Sequence, residues 1–397
     1  MEIKKLKDVC TAIIDCPHST PEWKTEGIPV IRNYNLVNGN IDMKNLSFVD
    51  EETYNSRVKR AKPEEGDIII SREAPMGVVG IVPKNFKCCL GQRLVLLKIN
   101  KKEYDPVYIL NVLMSNYVQT QIHRVDKTGS IVSNLNIPDL ENLDLPIIQE
   151  KQNEKGKLLN TINNNILLNN KIIDELHKLG DQLYNYWFTQ YGYNNNELVF
   201  SKKCKREIPN NWEELNITEL CELKKGYEPG SDSYNEKEFE GSYEFFRVSD
   251  LENKKPVFIS PPDNLIGIVD FDEILISFDG TVGRVATGYK GIFSTGIKKA
   301  VPIKKSINNG LLYFLFRSEY VRKTIEKYAS GSVIKHASSS IPYIYLPYNE
   351  ESYCNFSKII NPLFKQIVKC KEENEKLYDY YNFVLPLLIN GQIKIED

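Results

Sequence analysis

Apolar positions along the chain follow two regimes in alternation. Short β-rich runs bounded by turn residues come first, at Pro29–Ile31, Ile68–Ile70, Val78–Val82 and Leu94–Ile99. Tyr108, Ile109, Val112, Leu113, Tyr117 and Ile122 then recur near helical spacing behind Asp105-Pro106, which predicts one helix over 105–122. Next, Leu159, Ile162, Ile166, Asn169, Ile173, Leu176, Gly180, Leu183 and Trp187 alternate at steps of three and four, the seam pattern of a coiled coil. The series then starts again. Strand signals recur at Phe245–Val248, Glu273–Ile276, Val285–Thr287 and Ala300–Ile303, and a helix is predicted from Gly310 to about Tyr328. A second seam follows at Ile360, Leu363, Ile367, Cys370, Asn374, Leu377, Tyr381, Val384 and Leu388, each 201 positions beyond its counterpart (159 to 360).

Residue identities repeat as well as pattern. Asp67-Ile-Ile-Ile-Ser71…Gly77 returns as Asp272-Glu-Ile-Leu-Ile-Ser277…Gly283, and Ser115-Asn-Tyr117-Val118 as Ser318-Glu-Tyr320-Val321. Gly129-Ser130 returns as Gly331-Ser332, Leu145-Pro146 as Leu346-Pro347, and the opening Leu6-Lys-Asp-Val-Cys10 as Ile217-Thr-Glu-Leu-Cys221. Solenoid repeats run about 20–50 residues, so a period this long describes two copies of a globular domain. The expected fold is α+β. Two tandem mixed α/β domains, 1–148 and 193–349, each precede a long helix, at 149–192 and 350–397. The polar flanks Asn163-Asn-Asn165 and Asn169-Asn170 would leave a lone helix marginal, so the two are expected to pair as an antiparallel coiled coil. Asn169 and Asn374 interrupt the seam in the manner that fixes register. About 30 residues at ~1.5 Å each make a rod of about 45 Å with a globular domain expected at each end. Asn194-Asn-Asn196 reads as a linker, and Pro386 and Gly391 as the end of the second helix.

Composition changes this picture little. With 397 residues, 41% hydrophobic and 26% charged, two ordinary soluble cores are expected. No apolar run reaches the ~18 residues of a membrane span, and Met1-Glu-Ile-Lys-Lys lacks a signal peptide's apolar stretch, so a cytoplasmic protein without membrane contact is expected. The eight cysteines never form a C-x-x-C pair and are read as reduced thiols. Net charge is −2, and neither repeat is basic overall. Any nucleic-acid face must therefore be a local basic patch.

Catalytic signatures do not occur: there is no phosphate-binding G-x-x-x-x-G-K-[ST], no G-x-S-x-G, no H-E-x-x-H and no G-x-G-x-x-G. His18, His123, His177 and His336 have no metal-ligand spacing. Asp105-Pro-Val-Tyr108 looks like a methyltransferase loop but is better read as a helix cap. Phe278-Asp-Gly280-Thr-Val-Gly283 looks like a cofactor loop, yet its counterpart Arg72–Gly77 keeps only the last glycine, so both read as strand-to-strand turns. Pro138-Asp139-Leu-Glu141 lacks the lysine of a nuclease centre. No catalytic residue, metal or cofactor is expected.

The tandem repeat, Asp272–Gly283, Cys16-Pro-His-Ser-Thr-Pro21 and the terminal Leu385-Pro-Leu-Leu-Ile-Asn-Gly-Gln-Ile393 together resemble the specificity (S) subunit of Type I restriction–modification systems, over nearly the whole chain. The resemblance implies that each globular copy is a target recognition domain reading one half of a split double-stranded DNA sequence. It implies further that the helices are conserved spacer regions where two methyltransferase (modification) subunits bind, with motor-nuclease (restriction) subunits joining for cleavage. The complex, not this chain, would methylate adenine and cut DNA. Ser71-Arg-Glu-Ala-Pro-Met-Gly77 departs from the Ser-x-x-Gly-Thr-x-Gly pattern, as reading loops for different targets do.

A DNA turn spans about 34–36 Å, so two readers on such a rod can face successive major grooves, with an unread gap between. Phosphates are held by Lys and Arg, and base edges are read by Arg, Asn, Gln, Ser or Asp. Loop candidates in the first copy are Arg32, Asn33, Asn35, Arg72, Glu73, Gln92, Arg93, Lys127, Ser130 and Asn134. In the second they are Arg247, Ser249, Asp250, Asp279, Thr281, Lys298, Lys299, Ser332, Lys335, His336 and Ser338. Two alternatives stand beside this reading: a stand-alone methyltransferase or nuclease with an unrecognised centre, and a two-ended scaffold without DNA contact.

Overall fold

The structure, a computed structural model, describes residues 1–126, 134–193, 197–252, 254–331 and 336–396. Its contacts divide into two compact units, Met1–Leu167 with Lys376–Asp397, and Leu168–Glu375. Each unit contains one copy of the repeat and a stretch of both long helices.

In the first unit, Glu2–Lys5 pairs antiparallel with Asp144–Ile147, closing the domain beside the helix that follows. A four-stranded antiparallel sheet runs in the order Cys10–Asp15, Leu94–Ile99, Ile68–Ser71, Val79–Ile81. Its strands read as unbroken apolar runs because both faces are covered. Ile68, Ile70, Val95 and Leu97 pack toward the helices, and Ile69, Leu94 and Leu96 toward the loops and the second sheet. Each such side chain contributes about 1.5–3 kcal/mol on burial. The second sheet, Ser47–Val49, Ile28–Ile31 and Cys89–Leu90, is mixed, the last pair being parallel.

The second unit repeats this plan, with a fourth strand, Ile268–Val269, added to its second sheet. Cys221–Lys225, Ile297–Pro302, Ile274–Ser277 and Val285–Ala286 form its four-stranded sheet in the same order, and Tyr243–Phe246 again pairs parallel with Gly291–Phe293. Register sets Ile68 against Ile274, so Asp67 corresponds to Glu273 and not to Asp272. A hairpin, Leu198–Ser201 with Arg206–Pro209, precedes the second copy.

Both intradomain helices are shorter than the spacing predicts. Pro106–Met114 and Asn116–Asp126 are separate helices, as are Asn309–Arg317 and Glu319–Tyr328. Ser115 and Ser318 adopt extended backbone at the breaks, and their hydroxyls donate to the carbonyls of Val112 and Leu315 (both 2.6 Å). Asp105 caps its helix by accepting from Tyr108 N at 2.8 Å, as the cap reading requires. Pro386 does not end the last helix, which runs to Ile389; the carbonyl of Pro386 accepts from Asn390 N, and Gly391 follows at φ +72°.

The long helices are Gln152–Phe188 and Glu350–Ile389. Within the first unit Asn163 meets Tyr381 and Lys151 reaches the carbonyl of Ile395 (2.9 Å). Within the second Asn169 meets Asn374 (3.0 Å) and Phe188 meets Tyr353. In each unit, then, residue numbers rise on one helix as they fall on the other: the pair is antiparallel. Of the seam residues, Leu159, Ile162, Ile166, Ile173, Ile360, Ile367, Val384 and Leu388 are buried, while Leu176, Leu183, Leu363 and Leu377 are half-buried against the same clusters. Asn374 also donates to Asn170 (2.9 Å), so the polar seam positions satisfy one another. Gly180 departs from a pure helix–helix seam. A Cβ there would lie 2.2 Å from the Phe314 ring, so this turn packs on helix Asn309–Arg317 of the second copy.

Candidate nucleic-acid interface

In the first unit, strand Ile28–Ile31 delivers a 3-10 turn, Asn33–Asn35, to the end of the second sheet. Asn35 is 1% exposed; its Oδ1 accepts from Arg32 N (3.0 Å) and its amide donates to the carbonyls of Asp42 and Lys44. It builds the turn and presents nothing outward. Arg32 is exposed, with its guanidinium 5.4 Å from the Trp23 ring and 5.0 Å from the Tyr34 ring, and makes no ion pair among the described residues. Thr20, Trp23, Arg32, Asn33, Gln92 and Arg93 line a cleft of about 350 Å³. Gln92 ties down the Cys16–Pro21 loop through the carbonyl of His18 and the Thr20 hydroxyl. Beneath that loop, buried Arg57 donates to the carbonyls of Pro17, Ser19 and Leu90 (2.8–3.3 Å). Thr20 and Pro21, the end of the Cys16–Pro21 motif, therefore form part of the cleft wall.

Glu73 completes the opposite rim. Its carboxylate pairs with Arg93 at 3.1 Å and its carbonyl accepts from the Asn33 amide at 2.5 Å. Arg72, one residue earlier on the other side of the chain, turns inward. It pairs with both oxygens of Asp15 (2.8 and 2.9 Å), donates to the Leu135 carbonyl (2.9 Å) and reaches Asn134 Oδ1 (3.3 Å).

The second unit assembles the equivalent loops with different chemistry. Arg247 follows strand Tyr243–Phe246, but Asp250, 2% exposed, accepts from its backbone N (2.8 Å), Nε (2.9 Å) and Nη2 (3.1 Å). That guanidinium is locked, and the pairing holds its pKa above the ordinary arginine value. Ser249 and Thr281 are exposed at the loop tips, and Ser338 opens the turn Ser338–Tyr343. Asp279 Oδ1 accepts from His336 Nδ1 at 2.8 Å, joining the Ser277–Gly283 turn to the loop that follows Tyr328. His336 and Asn134 occupy the same place, since Ala337 N bonds the Phe278 carbonyl as Leu135 N bonds that of Arg72. Lys298 lies over the Phe278 ring (5.5 Å), and burial, then neighbouring Lys225, lowers its pKa. Lys299 points to the other face, held by Glu273 (2.8 and 2.9 Å) and the Ile268 carbonyl. Lys127, Ser130, Ser332 and Lys335 lie outside the described residues.

One device is common to both units. Ser71 Oγ donates to the Pro75 carbonyl (2.6 Å) and accepts from Val78 N (2.9 Å); Ser277 Oγ does the same with Thr281 (2.5 Å) and Arg284 N (2.9 Å). Gly77 and Gly283, at φ +78° and +79°, return their N–H to the carbonyl of that serine. The shared serine-to-glycine string thus encodes a turn, and the residues between differ in the two copies. Sequence reasoning missed Trp23 and Tyr34, whose interleaving with Arg32 was the available signal, and Lys225, visible only once register is known. Among the described residues no cluster of histidine, cysteine and carboxylate side chains could hold a metal, and no helix is long and apolar enough to cross a membrane.

Two copies of one domain, each presenting a loop-built surface and sharing an antiparallel helix pair, are the plan of a tandem recognition protein. The family model described as the type I restriction modification DNA specificity domain matches residues 1–178 and 209–378. The chain belongs to that family: it is a specificity subunit of a type I restriction–modification system, a non-catalytic recognition component. It is similar to the putative type I restriction enzyme MjaX specificity subunit of Methanocaldococcus jannaschii, 27% identical across all of this chain and 94% of that one. The MjaIX specificity subunit of the same organism is 23% identical over the same shares. The crystal structure of a type I S subunit from M. genitalium shares the fold, with a TM-score of 0.58 at 16% identity over 100% of this chain and 96% of that one.

Proposed function

We propose that each unit reads one half of a bipartite double-stranded DNA target. In this reading the helix pair sets the unread gap and carries two modification subunits, with motor-nuclease subunits joining for cleavage in the cytoplasm. The observation that carries it is the assembly of the same loops in both units around the same serine–glycine turn, with different side chains on it. A shared frame with variable tips suits two readers of unlike sequences. Burial narrows the reading set. Arg32, Asn33, Gln92 and Arg93 face one cleft in the first unit, and Ser249, Asp279, Thr281, Lys298 and His336 are the candidates that stay accessible in the second. Asn35, Arg72, Asp250 and Lys299 hold the frame.

Exchange of residues 1–148 for the equivalent domain of another such subunit tests this, with methylated adenines mapped across the host genome. One half of the methylated sequence should change and the other persist. Loss of both halves from a folded chimaera would count against independent reading. The purified chain alone should neither cut DNA nor transfer methyl groups; turnover abolished by one of its own substitutions would favour an enzyme instead.

A further inference from the structure

The near-neutral charge of the chain leaves open where a DNA backbone would be gripped. One place stands out, outside the reading loops. The hairpin before the second copy carries Lys202, Lys203, Lys205 and Arg206 within five residues at its turn. The turn is pinned from below: Cys204 is fully buried and its N–H donates to Ser201 Oγ at 2.8 Å, so the three lysines project into solvent. Among the described residues their one carboxylate partner is Glu214, 3.9 Å from Lys203. Lys205 donates to the Tyr328 hydroxyl (2.6 Å), and the Tyr328 ring stacks on half-exposed Tyr343 at 4.0 Å. Exposed Lys327 adds a further cation beside the same ring, 5.7 Å away.

This cluster abuts a reading loop. Ser339 Oγ donates to the Tyr328 carbonyl at 2.8 Å, and two residues beyond Tyr328 the chain enters the Ser330–His336 bridge that ends on Asp279. Exposed ammonium groups with one distant carboxylate among them, on a pinned turn flanked by stacked rings, suit a polyanion whose charges are fixed and regularly spaced. We propose that Lys202, Lys203 and Lys205 with Lys327 form a clamp for DNA backbone phosphates, flanking the half-site read by the second domain. The clamp rests on the DNA-reading function proposed above. Phosphate contacts position a protein without carrying sequence information, so the clamp contributes affinity and register but not specificity.

The test uses the full chain with its modification subunits, and compares Lys202→Gln/Lys203→Gln/Lys327→Gln with the native protein. Affinity for a target duplex and for a scrambled duplex is measured across a salt series. Each phosphate contact contributes about 0.9 to the slope of log affinity against log salt, so removing three should reduce its magnitude by about two to three. Affinity should fall by the same factor on both duplexes, and the methylated sequence should not change. An unchanged slope overturns the clamp, as does a changed methylated sequence, which would make these lysines readers. Weakened subunit association at an unchanged slope also overturns it and makes the face a protein-docking surface. A native complex with no salt-dependent affinity for DNA would instead sink the reading function itself.

Discussion

Arg72 and Asp15 form a two-point ion pair at 2.8 and 2.9 Å, and the positions that register makes equivalent in the second repeat hold Phe278 and Lys225. One frame thus carries an internal salt bridge in one copy and, in the other, an apolar ring beside cations that make no ion pair among the described residues. The charge that the first copy cancels, the second leaves on display at Lys225 and Lys298.

Substitution of Arg72 by Phe should therefore leave Asp15, whose side chain is 21% exposed, with exposed His18 (3.2 Å) as its one remaining side-chain partner among the described residues. A loss of about 1–3 kcal/mol is expected, read as a lower urea midpoint for the full chain. Adding Asp15→Lys reproduces the second repeat's pair and should recover part of that loss. A double variant no more stable than the single one would mean that the surrounding loops, not the pair, decide the tolerance.

The serine-to-glycine turn gives an ordering. Ser277→Ala leaves Arg284 N without its acceptor, and should cost about 1–3 kcal/mol. Alanine at Gly283 meets only backbone strain of about 1–2 kcal/mol, since its Cβ has ordinary contacts from 3.5 Å outward. Alanine at Gly77 meets that strain and also Gln119 and Ile122 at 3.0–3.1 Å. Thermal unfolding should rank Gly77→Ala below Gly283→Ala; equal melting temperatures would show that the Gln119 side chain yields freely.

The helix seams were legible because a period of three and four over many turns has one physical explanation, and Asn169 meeting Asn374 follows from it. The repeat was legible because the serine and glycine of the turn cannot vary without breaking it. Less legible were two-residue strands such as Cys89–Leu90 and Leu36–Val37, too short to carry a period. The hairpin at Leu198–Ser201 was missed because Leu198, Val199 and Phe200 are all exposed and do not alternate. The intradomain helix breaks were missed because Ser115 and Ser318 interrupt hydrogen bonding without interrupting the apolar spacing. Among candidate readers, residue type could not separate Arg32 from Arg247. Only the neighbour three positions on, Asn35 or Asp250, decides which guanidinium stays free.

His177 predicts the acid limb of stability. It lies in the second unit, 2.9 Å from the Tyr313 hydroxyl, and faces Arg317, Lys371 and Asp174. Burial, then the two cations, lowers its pKa to about 3 from 6.5. The folded protein therefore leaves the ring neutral where the unfolded chain protonates it. Its contribution is fully present above pH 6.5 and is lost progressively as pH falls toward 3. His177→Gln, which can still bond Tyr313, should flatten stability across that window in urea titrations at stepped pH. An unaltered acid limb would place the titrating group elsewhere.

If the helix pair sets the distance between half-sites, lengthening one helix should lengthen the unread gap. Four residues inserted after Asn169 add roughly 6 Å, close to two base pairs at ~3.4 Å each. They turn the helix by about 400°, so the buried stripe of Ile173 and its successors shifts by only ~40° and pairing should survive. Two residues turn it by about 200° and swing that stripe outward, so the shorter insertion should be the more damaging. The four-residue variant is expected to keep both half-sites and widen the gap by one or two base pairs, read from the methylated sequence in cells. An active variant with an unchanged gap would remove the spacing role and leave the helices as a docking surface for partners.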